Sequence, residues 1–433
     1  MRTRSWFSLA TLLVALACAL PLFAAPAIGA PTPSVIPPEN WEARERFRDT
    51  IFASLAEAAA RPRAVVTQDD GAARVAFSTQ RQAGALYLVF ANQRGGSYPL
   101  DGAGTFIIKR SLANGRFVQA KLFVQDGPGT FLRFYPDDER TVMDVVLFGQ
   151  PFQTRVPLAI PFDNLLTTSL ASVMDLSASS VDWPTILAPT QREGDRRLES
   201  MVKAIRPRLR SLRDMDDGAM DATGRMVYIA TGEPAGKGGF NCSGFAKWIV
   251  DGLFAPLAGS LIDIAGLKSR DSLAQHSWSS RYEEELDPYF GLDWSRGLAR
   301  ALAKARDGAV PTDGAIDVRD DTRLPYVPDT GYAVTQLEYL LYFLTRESPG
   351  TMYLGSVNAA APASVSQGTP TLRMHHHVVV LFPYFDASGG FRVVVMERNH
   401  ETGIESLARR YAAESVHLVR IDSEGDFNPP KIE

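Results

Sequence analysis

Cysteine is almost absent. Of 433 residues only Cys18 and Cys242 are cysteines, which excludes a small fold stapled by disulfides. Histidine is scarce as well: there are six, and none precedes His276. A site that needs an imidazole must therefore draw on the second half of the chain. There is no excess of basic charge. Lys and Arg number 45 against 49 Asp and Glu, a formal net charge of −4, so the footprint of a nucleic-acid binder is missing. Nor is the chain poor in apolar residues. Hydrophobic residues make up 45% and charged residues 22%, the composition of a globular protein with room for two or three domains. No internal repeat is visible.

The long apolar run lies at the start. Arg2 and Arg4 precede an apolar stretch from Trp6 to Phe23, and Ala25-Pro26-Ala27 follows as a small-x-small cleavage site. Residues 1–30 read as a secretory signal, with an uncleaved anchor as the alternative. The expectation is an exported protein, periplasmic or extracellular, that meets membrane only through this segment. Cys18 lies in a poor lipobox and leaves with the signal. Cys242 then stands without a partner. A lone cysteine in an exported chain is either a reactive thiol or a small buried hydrophobe.

Residues 31–62 read as a proline-rich linker and a helix from about Trp41 to Ala59. From 63 to 175 the pattern is of short β runs, such as Ala85–Phe90, Phe117–Val124 and Val142–Phe148. Turn residues separate them, and Asn114-Gly115 is a strong hairpin signal. This predicts an all-β accessory domain, a sandwich or barrel. No catalytic constellation lies in it. Residues 190–433 form the second expected domain. It opens with a charged helix over Asp195–Arg213, whose apolar face carries Leu198, Val202, Ile205, Leu209 and Leu212. A largely helical stretch covers 254–346, and strands return over Thr351–Val357, Met374–Tyr384 and Phe391–Asn399.

A glycine-rich loop runs into Cys242. Phe245, Trp248, Ile249 and Leu253 then recur at helical spacing, which places Cys242 in the first turn of a buried helix. Free backbone N–H groups and the positive dipole end favour thiolate there. A nucleophilic cysteine needs a base, and the base needs an orienting group. The run His375-His376-His377 opens a strand, with His375 and His377 on one face. The run has no Cys or carboxylate at ligand spacing nearby, so neither a metal site nor a cofactor is expected. His276, His400 and His417 read as ordinary residues. If the following hairpin turns near Ser388, His377 faces Asn399, with Glu397 further along on the same face. Cross-strand Cβ atoms lie about 5 Å apart, and Cys-His-Asn is a known triad variant.

These residues resemble the NlpC-type cysteine peptidases of bacterial cell walls, a small papain-like fold. The likeness rests on Tyr228, on Gly238-Gly239-Phe240-Asn241-Cys242-Ser243-Gly244-Phe245, on Pro349-Gly350-Thr351-Met352-Tyr353 and on His377-Val378-Val379-Val380-Leu381. Asn241 and Thr351 stand where the family has Asp, and residues 254–346 are an insertion, expected to cover or reshape the substrate groove. The resemblance implies Cys242 as nucleophile, His377 as base and Asn399 as the third residue. It implies an oxyanion or substrate pocket with Tyr228 and Ser243, and peptidoglycan stem peptides or another cell-envelope peptide as substrate. The expected fold class is thus α+β: a papain-like catalytic domain with a helical insertion, preceded by the β domain. Two alternatives remain open. One is an amidase or acyltransferase of the same superfamily on a different substrate. The other is a catalytically inert cell-envelope binding protein.

Overall fold

A computed structural model describes residues 34–68, 74–275, 286–360 and 372–432. The expected signal segment and His276 lie outside the described residues. The chain is mixed α and β, and among the described residues two large antiparallel sheets accompany two short two-stranded ribbons.

The first sheet is a meander. Its strands are β1 (Ala64–Thr67), β2 (Arg74–Gln82), β3 (Ala85–Asn92), β4 (Phe106–Ser111), β5 (Phe117–Phe123), β6 (Phe131–Asp137), β7 (Arg140–Leu147) and β8 (Gln150–Leu158). Each pairs with its neighbour in sequence. Asn114-Gly115 makes the β4–β5 turn, with Gly115 at φ 71°, where an L side chain is strained. Among the described residues the first and last strands do not pair. The expectation of a sandwich or barrel is corrected accordingly: this is one open eight-stranded sheet. Helices take the place of a second sheet. The expected helix over Trp41–Ala59 is broken into α1 (Trp41–Arg46), α2 (Arg48–Phe52) and α3 (Leu55–Ala60). Ser54 caps the last of these with a Ser-x-x-Glu box through Glu57. Phe47 stacks on Phe77 at 4.5 Å, and Ala43, Ile51 and Ala58 enter the same core.

The second sheet has six strands: β9 (Tyr332–Ala333), β10 (Thr351–Ala360), β11 (Arg373–Phe385), β12 (Phe391–Glu397), β13 (His400–Gly403) and β14 (Ser415–Asp422). They lie in the order β9-β14-β10-β11-β12-β13. One face packs against α4 (Glu193–Leu209), α5 (Cys242–Ala258) and α6 (Phe290–Asp307). Leu198, Val202, Phe245, Trp248, Trp294 and Val380 are all fully buried in that core. Each such side chain contributes about 1.5–3 kcal/mol relative to exposure. The other face packs on α7 (Leu337–Glu347). Tyr342 of that helix meets Phe148 at 5.0 Å, and Phe391 of β12 meets Phe148 at 5.4 Å. A continuous core thus runs from α1 through the first sheet to the back of the second.

Helices α6 and α7 are core elements on opposite faces of the second sheet. A buried ion pair, Arg296 with Asp317 at 2.7 Å, anchors α6 to the chain that follows it. No helix among the described residues is long and apolar enough to cross a membrane.

Candidate active site

Asn241 is the N-cap of α5. Its side chain accepts a hydrogen bond from Gly244 N–H at 2.7 Å. Asn caps a helix as well as Asp does, so its replacement of Asp leaves this function intact. Gly244 is required by close packing: a Cβ there would lie 2.0 Å from the Gly218 carbonyl oxygen. These two constraints seat Cys242 in the first helical turn, where the N–H groups of Cys242 and Ser243 have no intrahelical acceptor. Cys242 is half-buried at a cavity wall, and its thiol lies 3.8 Å from the His376 carbonyl oxygen.

A β-bulge brings the histidines to it. Val357 pairs with His377 and Asn358 with His375, leaving His376 unpaired in β11. Bulges re-aim neighbouring groups in this way beside active sites. His375 is buried on the Ser356 hydroxyl at 3.1 Å and the Asp329 carbonyl at 2.6 Å, and burial lowers its pKa to about 4. His376 is exposed at the cavity. His377 is buried, and its Nε2 lies 2.7 Å from Glu397 Oε2, which leaves Nδ1 for the thiol.

The third residue expected from the sequence was Asn399, and the structure puts Glu397 in that place. The β11–β12 register has Val380 opposite Met396 and Phe385 opposite Phe391. Continued without a break, it would set His377 against Asn399. However, β12 stops at Glu397, which pairs with His400 of β13. Arg398 and Asn399, at φ 43° and 71°, form the two-residue turn. The turn carries Asn399 away, and its amide donates to Asp214 at 2.6 Å. Glu397 keeps the face that points at His377. Thr402 Oγ1 donates to Glu397 at 2.6 Å, and Arg410 at the end of α8 (Ile404–Arg410) hydrogen-bonds both of its carboxylate oxygens.

Electrostatics follow from these contacts. Burial pushes the Cys242 thiol up. The hydrogen bond and charge of His377 act against it, with help from Val378 N–H and the Ser243 hydroxyl, and the net shift is downward. Burial pulls His377 down, but its contacts with Cys242 and Glu397 prevail and raise it to about 9. Burial raises Glu397, yet His377, Arg410 and Thr402 together lower it to about 2. These directions favour a thiolate–imidazolium pair, with Glu397 held as the carboxylate behind it.

The pair opens on a cavity of about 840 Å³. Ser243, Phe290, Met374, Arg398 and Tyr411 are among its lining residues. Ser243 is thus brought to the site as expected from the sequence. Tyr228 is not: its side chain is 40% exposed and does not line the cavity. Of the 254–346 stretch, Arg270, Leu286, Asp287 and Phe290 reach the cavity wall. Tyr411 was missed in the sequence. It stacks on His377, with centroids 5.9 Å apart and planes at 24°. No periodicity marks it, because it follows the last residue of a short helix. Among the described residues no group of three His, Cys, Asp or Glu side chains is placed to hold a metal ion.

A family model described as a domain of unknown function (DUF8515) matches residues 34–185. That range holds α1–α3, the whole first sheet and the short helices after it, and ends before Cys242. No curated protein and no solved structure matches the chain.

Proposed function

We propose that the chain is a cysteine hydrolase of the papain-like NlpC type that cleaves an amide bond. The observation that carries this is the convergence of Cys242, His377 and Glu397 on one cavity from a helix start and two strands of the second sheet. Each element supplies a chemically necessary part. The start of α5 and the His377 imidazolium hold Cys242 as thiolate. The thiolate attacks the amide carbonyl carbon, and the C=O electron pair moves onto oxygen. The backbone N–H of Cys242 faces the developing charge. His377 then gives its proton to the leaving amine, and a thioester remains on Cys242. Water, deprotonated by His377, releases the acid. Glu397 stays ionised throughout and keeps the imidazole oriented.

The substrate proposed is a peptidoglycan stem peptide, met outside the cytoplasm. Support for it is the resemblance around Cys242 and His377 together with the signal-like start of the sequence. Purified cell wall incubated with the protein tests this. Wild type is expected to release new muropeptides and Cys242→Ala to release none. Equal products from both proteins, or none from either, would remove the wall-hydrolase reading.

A further inference from the structure

The site has a nucleophile, a base, an orienting carboxylate and free backbone N–H groups at the start of α5, but no side-chain donor for the oxyanion. The tyrosine expected to supply a second donor, Tyr228, lies off the cavity. Tyr411 lies on it. Its ring is held by the stack on His377, and the neighbouring Arg410 is tied to Glu397. This anchors residues 410 and 411 to the same His377–Glu397 pair. Among the described residues no hydrogen bond engages the Tyr411 hydroxyl, and that oxygen is not among the buried, unpartnered polar atoms. It is therefore a free donor open to solvent. Among the described residues Tyr411 is the one tyrosine in the cavity wall. Burial raises the Tyr411 pKa; the Arg410 charge acts against this, the Glu397 and Cys242 charges add to the rise, and the net shift is upward. A phenol kept protonated in this way remains a donor across the working pH range.

We infer that Tyr411 is a catalytic residue of this site, donating its O–H to the oxyanion formed when Cys242 attacks a carbonyl. This rests on the cysteine-hydrolase reading above. The step requires no proton transfer from the phenol. The Cys242 Sγ–carbonyl carbon bond forms, the π pair becomes the oxyanion lone pair held by the Tyr411 O–H and the Cys242 N–H, and collapse expels the leaving group. The same ring has a second possible use, as a wall that keeps the imidazole plane fixed, and the two uses differ in what they accelerate. Alkylation of the thiolate by iodoacetamide passes through no oxyanion. Acylation by p-nitrophenyl acetate does, and it releases p-nitrophenolate to leave an acetyl thioester on Cys242.

Both probes are applied to the full-length protein as wild type, Tyr411→Phe and Cys242→Ala. Phe retains the stacked ring and removes only the hydroxyl. The expected result is an acylation rate lower by at least about tenfold in Tyr411→Phe, toward the hundredfold typical of a lost oxyanion donor. Its alkylation rate stays within about twofold of wild type, the size of change expected when the thiolate itself is undisturbed. Preserved alkylation also certifies that the variant is folded. A parallel fall in both rates would overturn the inference and make Tyr411 a positioning residue for His377. Unchanged rates for both probes would overturn it and leave the ring a packing group. If wild-type Cys242 is alkylated at pH 6 no faster than a free thiol, the nucleophile reading itself falls and this inference with it. That outcome is visible before any variant is compared.

Discussion

At the scale of single residues, the site turns on a choice between two side chains two positions apart. Glu397 accepts from His377, and Asn399 donates to Asp214. Glu397→Gln keeps the shape and removes the charge. It is expected to lower turnover by on the order of 10²- to 10⁴-fold, because the imidazole loses its orienting anion. Asn399→Ala is expected to leave iodoacetamide reactivity within about twofold, since Asn399 does not touch His377. Rates of both variants with the two thiol probes check this contrast.

The pH dependence follows from the same contacts. Alkylation needs only thiolate, so its rate is expected to persist well below the ordinary thiol pKa of about 8.5 and to show no fall above pH 9. Amide turnover also needs the imidazolium, so it is expected to decline as pH rises through about 9, where His377 loses its proton. His377→Ala should return the alkylation midpoint toward the ordinary thiol range. Stability has matching signs. His377, raised on folding, contributes below its unfolded value of about 6.5 and ceases to as pH rises through about 9. Glu397, depressed on folding, contributes above about 4.3, and its contribution is lost as pH falls toward 2. Urea midpoints against pH, wild type beside Glu397→Gln, are expected to show a smaller acid-side loss in the variant, since Asp221 and Asp386, also depressed, keep theirs.

At the scale of elements, α5 is held by contact as much as by propensity. Its first turn lies on the backbone at Gly218, which leaves no space for a Cβ at Gly244. Gly244→Ala is expected to destabilise by at least about 1–3 kcal/mol and to slow Cys242 alkylation, since the turn must lift to admit the methyl. Urea unfolding and the labelling rate measure the two effects separately. The β12–β13 turn is the other decisive element. The strand pattern over 391–399 is correct as far as Glu397; alternation would put residue 399 on the face of 397, but the turn takes it off that face. What ends the strand is the return of His400–Gly403 along β12, a pairing that Arg398-Asn399 does not announce as Asn-Gly would.

At the scale of the whole molecule, the two sheets share a core. Phe148 and Phe152 at the β7–β8 hairpin meet Tyr342 and Phe343 of α7, and Arg346 of that helix donates to carbonyl groups of Pro184 and Leu187. One cooperative unfolding transition is therefore expected, with far-UV circular dichroism and Cys242 labelling reporting the same midpoint. Tyr342 is fully buried, and Tyr342→Ala is expected to lower that single transition by about 3–5 kcal/mol. Two separated transitions in the variant would show instead that the halves unfold independently.

Local pattern was enough for the parts that depend on local chemistry. The β runs of the first sheet, the apolar face of α4, the placing of Cys242 at a helix start and of His377 on a strand all follow from residue spacing and capping, which neighbouring residues determine. Three things needed the tertiary structure. The open sheet with helices over its face depends on how α1–α3 pack, not on strand spacing. The core position of α6 and α7 depends on which faces find partners. The third residue depends on a turn fixed by pairing with β13 and by the hydrogen bond from Asn399 to Asp214. Each of these is set by contacts between residues far apart in the chain, and periodicity carries no record of them.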